Sequence, residues 1–283
     1  LMKIERFTKA QADVLLPGRK AESNKNDYGR VWAFCGSAGY TGAPYFAAQG
    51  AVRMGSGIVT LAVPQEIYPI LAVKLNEPVL YPYTLANWQE ALTAAGHAAA
   101  CLIGPGLGHF PAFRELTCQA LETLSCPVVL DADGINALAG HIDILCKTAQ
   151  PVILTPHAGE FARLTGMHDP TPDDAADFAV RNRCVLLLKG HRTLVAAPDG
   201  TVTRNTTGNP GMAKGGSGDV LAGMILSLVG QGLAPQDAAR VGAWLHGRTG
   251  DVCANQLSEY GMTPTDMLAM LPEVLHEYNT REW

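Results

Sequence analysis

Several signatures that would settle the chemistry at once are missing from this 283-residue sequence. No glycine loop runs into Gly-Lys-Ser/Thr, which excludes the usual triphosphate-binding loop. No G-x-G-x-x-G opens a helix after the first strand-like run, so the common dinucleotide fingerprint is absent as well. There is no H-E-x-x-H, no cysteine–histidine spacing suited to zinc, and no G-x-S-x-G elbow for a serine nucleophile. Gly216-Ser-Gly218 comes nearest to that elbow but lacks its spacing, which leaves Ser217 as a loop hydrogen-bond donor. The seven cysteines are odd in number and scattered, none in a C-x-x-C pair, so free thiols in a reducing cytoplasm are expected. No basic run exists and the net charge is −5, which argues against nucleic acid as a partner. No apolar run is long enough to cross a bilayer, and the first residues lack a signal peptide's apolar core, so no membrane association is expected.

What the chain does have is glycine in one place. Between Asn205 and Ile225, Gly208, Gly211, Gly215, Gly216 and Gly218 crowd a loop that ends in Asp219, where an apolar helix begins. Glycines let a ligand approach the backbone and permit the positive-φ turns that aim successive N–H groups one way. Val220, Leu221, Met224, Ile225, Leu228 and Val229 then recur at helical spacing up to Gly230. The unpaired N–H groups of that helix and its positive dipole end would face the loop, and a phosphate is the natural occupant. The simpler alternative is an ordinary turn capped by Ser217 or Asp219, although five glycines exceed what a cap needs.

A composition of 47% hydrophobic and 17% charged residues is that of a globular chain with a substantial core. The first 25 or so residues read as a polar arm on the surface. After them, Val31–Cys35, Ile58–Val63, Ala99–Ile103, Val128–Leu130, Val152–Leu154 and Val185–Leu188 read as strands. Several are continuously apolar, as strands buried on both faces are. Helices are expected at about Tyr45–Met54, Pro111–Leu124, Gly134–Ala139 and Pro172–Arg183, which gives βαβ units and a mainly parallel sheet. Thr193–Ala197 and Thr201–Arg204 flank Pro198-Asp199-Gly200, a hairpin signal, and Val220–Val229, Pro235–Asn255 and Thr265–Leu271 read as helices. The division expected is an arm over 1–27 and one α/β domain over 28–283. Glycine-bearing turns at Cys35–Gly42, Gly104–Gly108 and Thr155–Glu160 follow three of the strands and should converge on one site at their carboxyl ends.

A phosphate cradle ending in one carboxylate suits phosphoryl transfer to an alcohol. The helix start stabilises the moving phosphoryl group, and the aspartate accepts the hydroxyl proton. With an ordinary aspartate pKa of about 3.9 that role is positioning and late proton acceptance. A first-turn dipole partner is the other reading of Asp219, and the two are compatible.

The run Gly208-Asn-Pro-Gly-Met-Ala-Lys-Gly-Gly-Ser-Gly-Asp-Val-Leu-Ala-Gly223 closely resembles the signature of the ADP/ATP-dependent NAD(P)H-hydrate dehydratases of the ribokinase-like superfamily. So do Leu130–Leu138, Leu154–Leu164 and Gly104-Pro-Gly-Leu-Gly108. The resemblance runs from about Tyr28 to Leu271. It implies a ribokinase-like three-layer αβα sandwich and a repair reaction. Water is removed from the S epimer of hydrated NADH or NADPH, while ADP (or ATP) is split to AMP (or ADP) and phosphate, with Mg²⁺ on the nucleotide. Relatives of this kind tend to be homo-oligomers, often tetramers, and the apolar C-terminal helices could serve such a contact, although core packing explains them equally well. No epimerase domain is seen, so dehydratase activity alone is expected.

Carried over by motif, Asp219 takes the proton and Gly218 holds the phosphoryl group, while Ala43, Gly106 and His157 contact the hydrate. Lys189, Gly190, His191, Arg192 and Thr193 are expected to contact the nucleotide, with Lys189 a phosphate partner, while the other reading of His191 and Arg192 is as surface residues of the turn. Glu160 resembles the glutamate that related sugar and vitamin kinases use to organise Mg²⁺ through water. Asp131 and Asp133 either join the site or close a strand-end turn. Lys214, Ala158 and Pro44 depart from the family pattern, and Lys214 would either add a phosphate contact or point outward. Two other readings stay open: a vitamin-precursor kinase, which would release a stable phosphoester, and a nucleotide-binding protein with a degenerate site.

Overall fold

The computed structural model describes residues 4–278; the first three residues of the expected arm and the last five of the expected domain lie outside the described residues. The strands are β1 (Glu5–Arg6), β2 (Arg30–Phe34), β3 (Ile58–Pro64), β4 (Val79–Tyr83), β5 (Ala100–Ile103), β6 (Val128–Leu130), β7 (Val152–Leu154), β8 (Val185–Leu188), β9 (Leu194–Ala196) and β10 (Val202–Arg204). They form one sheet in the order β1-β10-β9-β8-β7-β6-β5-β2-β3-β4, parallel throughout except that β9 runs against β8 and β10. The helices are α1 (Lys9–Leu15), α2 (Gly42–Arg53), α3 (Tyr68–Lys74), α4 (Trp88–Ala94), α5 (Pro111–Thr123), α6 (Asp133–Asn136), α7 (Ala158–Thr165), α8 (Pro172–Asn182), α9 (Ser217–Gly230), α10 (Pro235–Gly261) and α11 (Pro264–Leu275).

The continuously apolar strands have a plain cause. Successive side chains point to opposite faces of a sheet, and here both faces are covered. Val31, Ala33, Leu102, Val129 and Ile153 pack under α2, α9, α10 and α11, while Phe34, Ile103, Val128, Leu130 and Leu154 pack under α4, α5, α7 and α8. The result is a three-layer α/β sandwich. Helices α2 and α9 touch at backbone level: a Cβ on Gly50 would lie 2.6 Å from the carbonyl oxygen of Val220, and one on Gly223 would lie 2.0 Å from that of Ala47. This contact fixes where α9 begins.

Beside β2 the chain changes direction. It leaves through β3 and β4 on one side and returns as β5 on the other, which opens a crevice at the carboxyl ends of β2 and β5.

The six expected strands are present with ends moved by a residue or so, and the hairpin is β9–β10. The expected helix Gly134–Ala139 is a single turn, Asp133–Asn136. Strand β4, with Pro82 inside it, gave no strand signal. It sits at the sheet edge, where proline costs no ladder bond. The arm does more than lie on the surface: β1 extends the sheet beside β10, and Phe7 is buried to 2% exposure. Burying that ring is worth about 2 kcal/mol. The C-terminal helices turn their apolar faces into the core, with Leu245, Leu268, Leu271 and Val274 buried there. All seven cysteines are free, and among the described residues no helix is long and apolar enough to cross a membrane.

Candidate active site

Three neighbouring strands end at one cavity of about 690 Å³. Asp131 follows β6, His157 lies just beyond β7 and Lys189 follows β8; the last two are held side by side by a parallel bridge. The glycine-rich loop and the first turn of α9 close the other side, which brings Gly218 and Asp219 to the same space.

The charges there are coupled. Lys189 Nζ lies 2.9 Å from Asp131 Oδ1 and 4.0 Å from Glu160 Oε2. Asp131 is 2% exposed and also accepts a 2.7 Å bond from the Thr155 hydroxyl. Burial works against the ammonium of Lys189, but Asp131 and Glu160 outweigh it and raise the net value. For Asp219 the balance goes the other way. Burial first, then the Asp131 charge, push its carboxyl up to about 7; Lys189 offsets part of this and Glu160 adds to the rise. The ordinary aspartate assumed from sequence is therefore corrected: a group poised near neutrality is a competent general base.

Helix α9 opens without a lid. Its N-cap is Gly216 at φ 98°, with no side-chain hydrogen bond, so neither Ser217 nor Asp219 caps it. A Cβ at Gly216 would lie 2.6 Å from the Phe46 ring, so the position demands glycine for space as well as for conformation. The loop before it is tied to α10. The amide of Gly208 and the side-chain amide of Asn209 each donate 3.0 Å bonds to the Asp251 carboxylate. Lys214 lines the cavity, yet its ammonium donates to the carbonyls of Tyr260 and Met262 at the end of α10. Its charge is thereby matched to a helix C-terminus.

Among the residues singled out from sequence, His157, Glu160, Lys189, Gly190, His191, Thr193, Gly218 and Asp219 line this cavity. Ala43 and Gly106 do not. They meet each other at the crevice beyond β2 and β5, where a Cβ on Gly106 would lie 2.9 Å from that of Ala43. Arg192 turns aside and donates to the carbonyl of Thr206 at 3.1 Å. The two turns at the crevice are bonded together, with the Ser37 hydroxyl donating to Gly106 at 2.7 Å. Asp131 and Asp133 divide the work left open from sequence. Asp131 faces the cavity, while Asp133 accepts the Gly108 amide at 2.8 Å. Between them Ala132 is held at φ 49°, a conformation L-residues rarely adopt. Asp251 and His246 gave no local signal, because both sit inside the amphipathic pattern of α10.

A family profile described as NAD(P)H-hydrate dehydratase matches residues 31–273. The chain belongs to the NAD(P)H-hydrate dehydratase family. It is 44% identical over 273 residues to the bifunctional NAD(P)H-hydrate repair enzyme Nnr of Moorella thermoacetica, covering 92% of this chain and 52% of that protein. The chain thus spans about half the length of the bifunctional relatives it matches. It is 34% identical over 280 residues to the ADP-dependent (S)-NAD(P)H-hydrate dehydratase of Bacillus subtilis, covering 96% of this chain and 98% of that one. A crystal structure of the ADP/ATP-dependent NAD(P)H-hydrate dehydratase from Bacillus subtilis, co-crystallised with ATP/Mg²⁺, matches with a TM-score of 0.87 at 33% identity over 98% of this chain and 99% of that one. The fold is ribokinase-like, as in an Enterococcus faecalis protein of that superfamily (TM-score 0.86, 26% identity, 97% of this chain and 96% of that one).

The donors around the cavity fit only a lightly held metal. Among the described residues no group of three or more His, Cys, Asp or Glu could hold an ion. Glu160 is buried, and its Oε2 accepts the His157 amide at 2.9 Å. Mg²⁺ commonly keeps its waters and binds through one or two carboxylates plus substrate phosphates, which these residues allow.

Proposed function

We propose that this protein removes water from the S epimer of hydrated NADH or NADPH at the expense of ADP or ATP. The observation that carries the reading is the open first turn of α9 beside a carboxyl raised to about 7, with Lys189 facing both across one cavity. The Bacillus subtilis relative carries this activity in its name and matches over nearly its whole length.

The chemistry follows from the residues. Asp219 accepts the proton of the substrate hydroxyl as its oxygen attacks the terminal phosphorus. The phosphorus–oxygen bond to the nucleotide breaks, and its electron pair leaves on AMP or ADP. Charge on the moving phosphoryl oxygens is met by the Gly218 amide and by Lys189, a preorganised arrangement that acts where charge develops. Hydroxide is a poor leaving group and phosphate a good one. The ring nitrogen expels phosphate, and loss of a proton from the adjacent ring carbon restores the double bond. Glu160 and Asp131 are the carboxylates that would hold a hydrated Mg²⁺ at this cavity, and the ion would supply positive charge to offset that of the nucleotide phosphates. Gly190, His191 and Thr193 hold the nucleotide, and Arg192 steadies their loop through Thr206. The hydrate extends from His157 toward Ala43 and Gly106 in the crevice.

The setting is the cytoplasm and the assembly a homo-oligomer, a tetramer by family resemblance. Exposed Val73 (86%) and Val79 (56%) beside the unpaired edge of β4 support self-association. The deciding experiment mixes purified protein, S-epimer hydrate, Mg²⁺ and either nucleotide. Recovery of reduced-nicotinamide absorbance with release of free phosphate is expected. A phosphoester retained in the product, seen by mass spectrometry, would make it a kinase instead.

A further inference from the structure

Among the polar side chains of the cavity that the reaction above does not use, one is bonded to the first turn of α9 from another helix. His246, on α10, is 7% exposed and lines the cavity behind the first turn of α9. Its Nε2 lies 2.9 Å from the carbonyl oxygen of Ser217 and 3.4 Å from the Ser217 hydroxyl. A carbonyl oxygen can only accept, so Nε2 carries the hydrogen and donates it. Burial pushes the imidazolium down to about 4, more than the Ser217 bond restores, so the ring is neutral around pH 7 with Nδ1 bare.

The bond falls on an informative atom. The Ser217 carbonyl and the Gly218 N–H are the two ends of one planar peptide group. That N–H lies in the first turn of α9, which no side chain caps. A donor on the carbonyl end polarises the amide and strengthens its N–H as a donor, and it also fixes the plane in which that N–H points. A neutral ring does this without adding a second cation to compete with Lys189 for phosphate.

We propose that His246 is a positioning residue for phosphoryl transfer: its Nε2–H holds and polarises the Ser217–Gly218 peptide, so that the Gly218 amide meets the moving phosphoryl group as a preorganised donor. The inference rests on the dehydratase reading above. Its reach across the helix pair explains why a histidine sits where the α10 pattern would accept any apolar residue. A leucine there would fill the space and take this second donor away from the Ser217 carbonyl.

The test compares His246→Leu, which removes the donor, with His246→Gln, whose side-chain amide places an N–H near the same point. His246→Asn, too short to reach Ser217, serves as a second polar control. Turnover of the hydrate is measured together with binding of AMP alone and of AMP with orthovanadate, a trigonal phosphoryl mimic, by calorimetry. The Leu and Asn variants should lower kcat about tenfold, less than outright loss of an oxyanion donor costs, with KM for nucleotide unchanged. Vanadate affinity in the presence of AMP should fall by the same factor while AMP alone binds as before, and the Gln variant should recover most of both. Wild-type kcat and vanadate affinity in the Asn variant, or a Gln variant as impaired as Asn, overturns the proposal. Should the Leu variant not fold, the Gln–Asn pair alone decides. Failure of the dehydratase reading looks different: the wild-type protein then turns over no hydrate, while the vanadate comparison still reports on His246.

Discussion

Helices α7 and α9 begin at the same cavity and treat their first-turn amides in opposite ways. In α7 the start is closed. His157 Nδ1 accepts the amides of Gly159 and Glu160 at 3.0 and 3.3 Å, and the Glu160 carboxylate accepts the His157 amide at 2.9 Å. Helices α1, α8 and α11 carry the same reciprocal box built on threonine. In α9 the start is open, with Gly216 where a capping side chain would be. A cap is worth about 1 kcal/mol, and α9 does without it. Its stability comes from burial instead, since nearly every residue after Asp219 is in the core. The difference teaches where a ligand is expected: amides capped by the protein's own side chains are structural, and amides that no side chain caps, beside Lys189, are where the proposed reaction would place an anion.

The largest break in that contrast comes from Asp219→Asn. Turnover should fall about 10³-fold while nucleotide binding persists, as measured by initial rates and calorimetry. Under the proposed reaction the reactive form of the parent protein is the ionised one, so activity should rise with pH up to about 7 and level off above it. The stability sign is opposite. The folded-state value lies above the unfolded value of about 3.8, so the native state binds more protons between the two. Stability is fully present below about pH 4 and declines as pH climbs through 7. Asp219→Asn should therefore be the more stable protein at pH 8, by about 4 kcal/mol, and no better at pH 3.5. Equal urea midpoints at both pH values would mean the carboxyl is not perturbed.

A smaller effect is expected from closing the open start by force. Gly216→Ala puts a methyl within 2.6 Å of the Phe46 ring and an L-residue at φ 98°. Activity should drop about a hundredfold as the amides move off line, with about 2 kcal/mol lost in urea unfolding. Wild-type activity in this variant would show that the geometry of the α9 start is dispensable.

The mildest change sharpens the other side. His157→Ala should cost about 1 kcal/mol of stability, and His157→Asn, a good cap in its own right, should restore it. Both should raise KM for the hydrate, because neither replaces the ring. A variant pair with identical stability would remove the structural half of the His157 role.

Much of the architecture was legible because it rests on local patterns. Apolar strands of three to seven residues between helical runs predict a parallel sheet, and β5 to β8 came out nearly to the residue. The glycine loop and Asp219 were legible as neighbours at the start of a buried helix for the same reason, since both are written in adjacent residues. Strand β4 was not, because an edge strand with Pro82 in it needs only one partner to exist. Helix α7 was hidden inside a Thr-Pro-His-Ala-Gly turn, since a histidine cap has no common sequence signal.

What the sequence determined by itself was the sheet, the glycine-rich loop and the identity of the carboxylate at its end, because each depends on neighbours within a few positions. Only the tertiary structure decided how strong a base that carboxylate is, which lysine faces it, and that Ala43 and Gly106 lie in a crevice apart from the cavity. The physical reason is that burial and charge coupling are properties of space. Asp131, Lys189 and Asp219 are far apart along the chain, and only the ends of two strands and the packing of α9 on α2 bring them within electrostatic range.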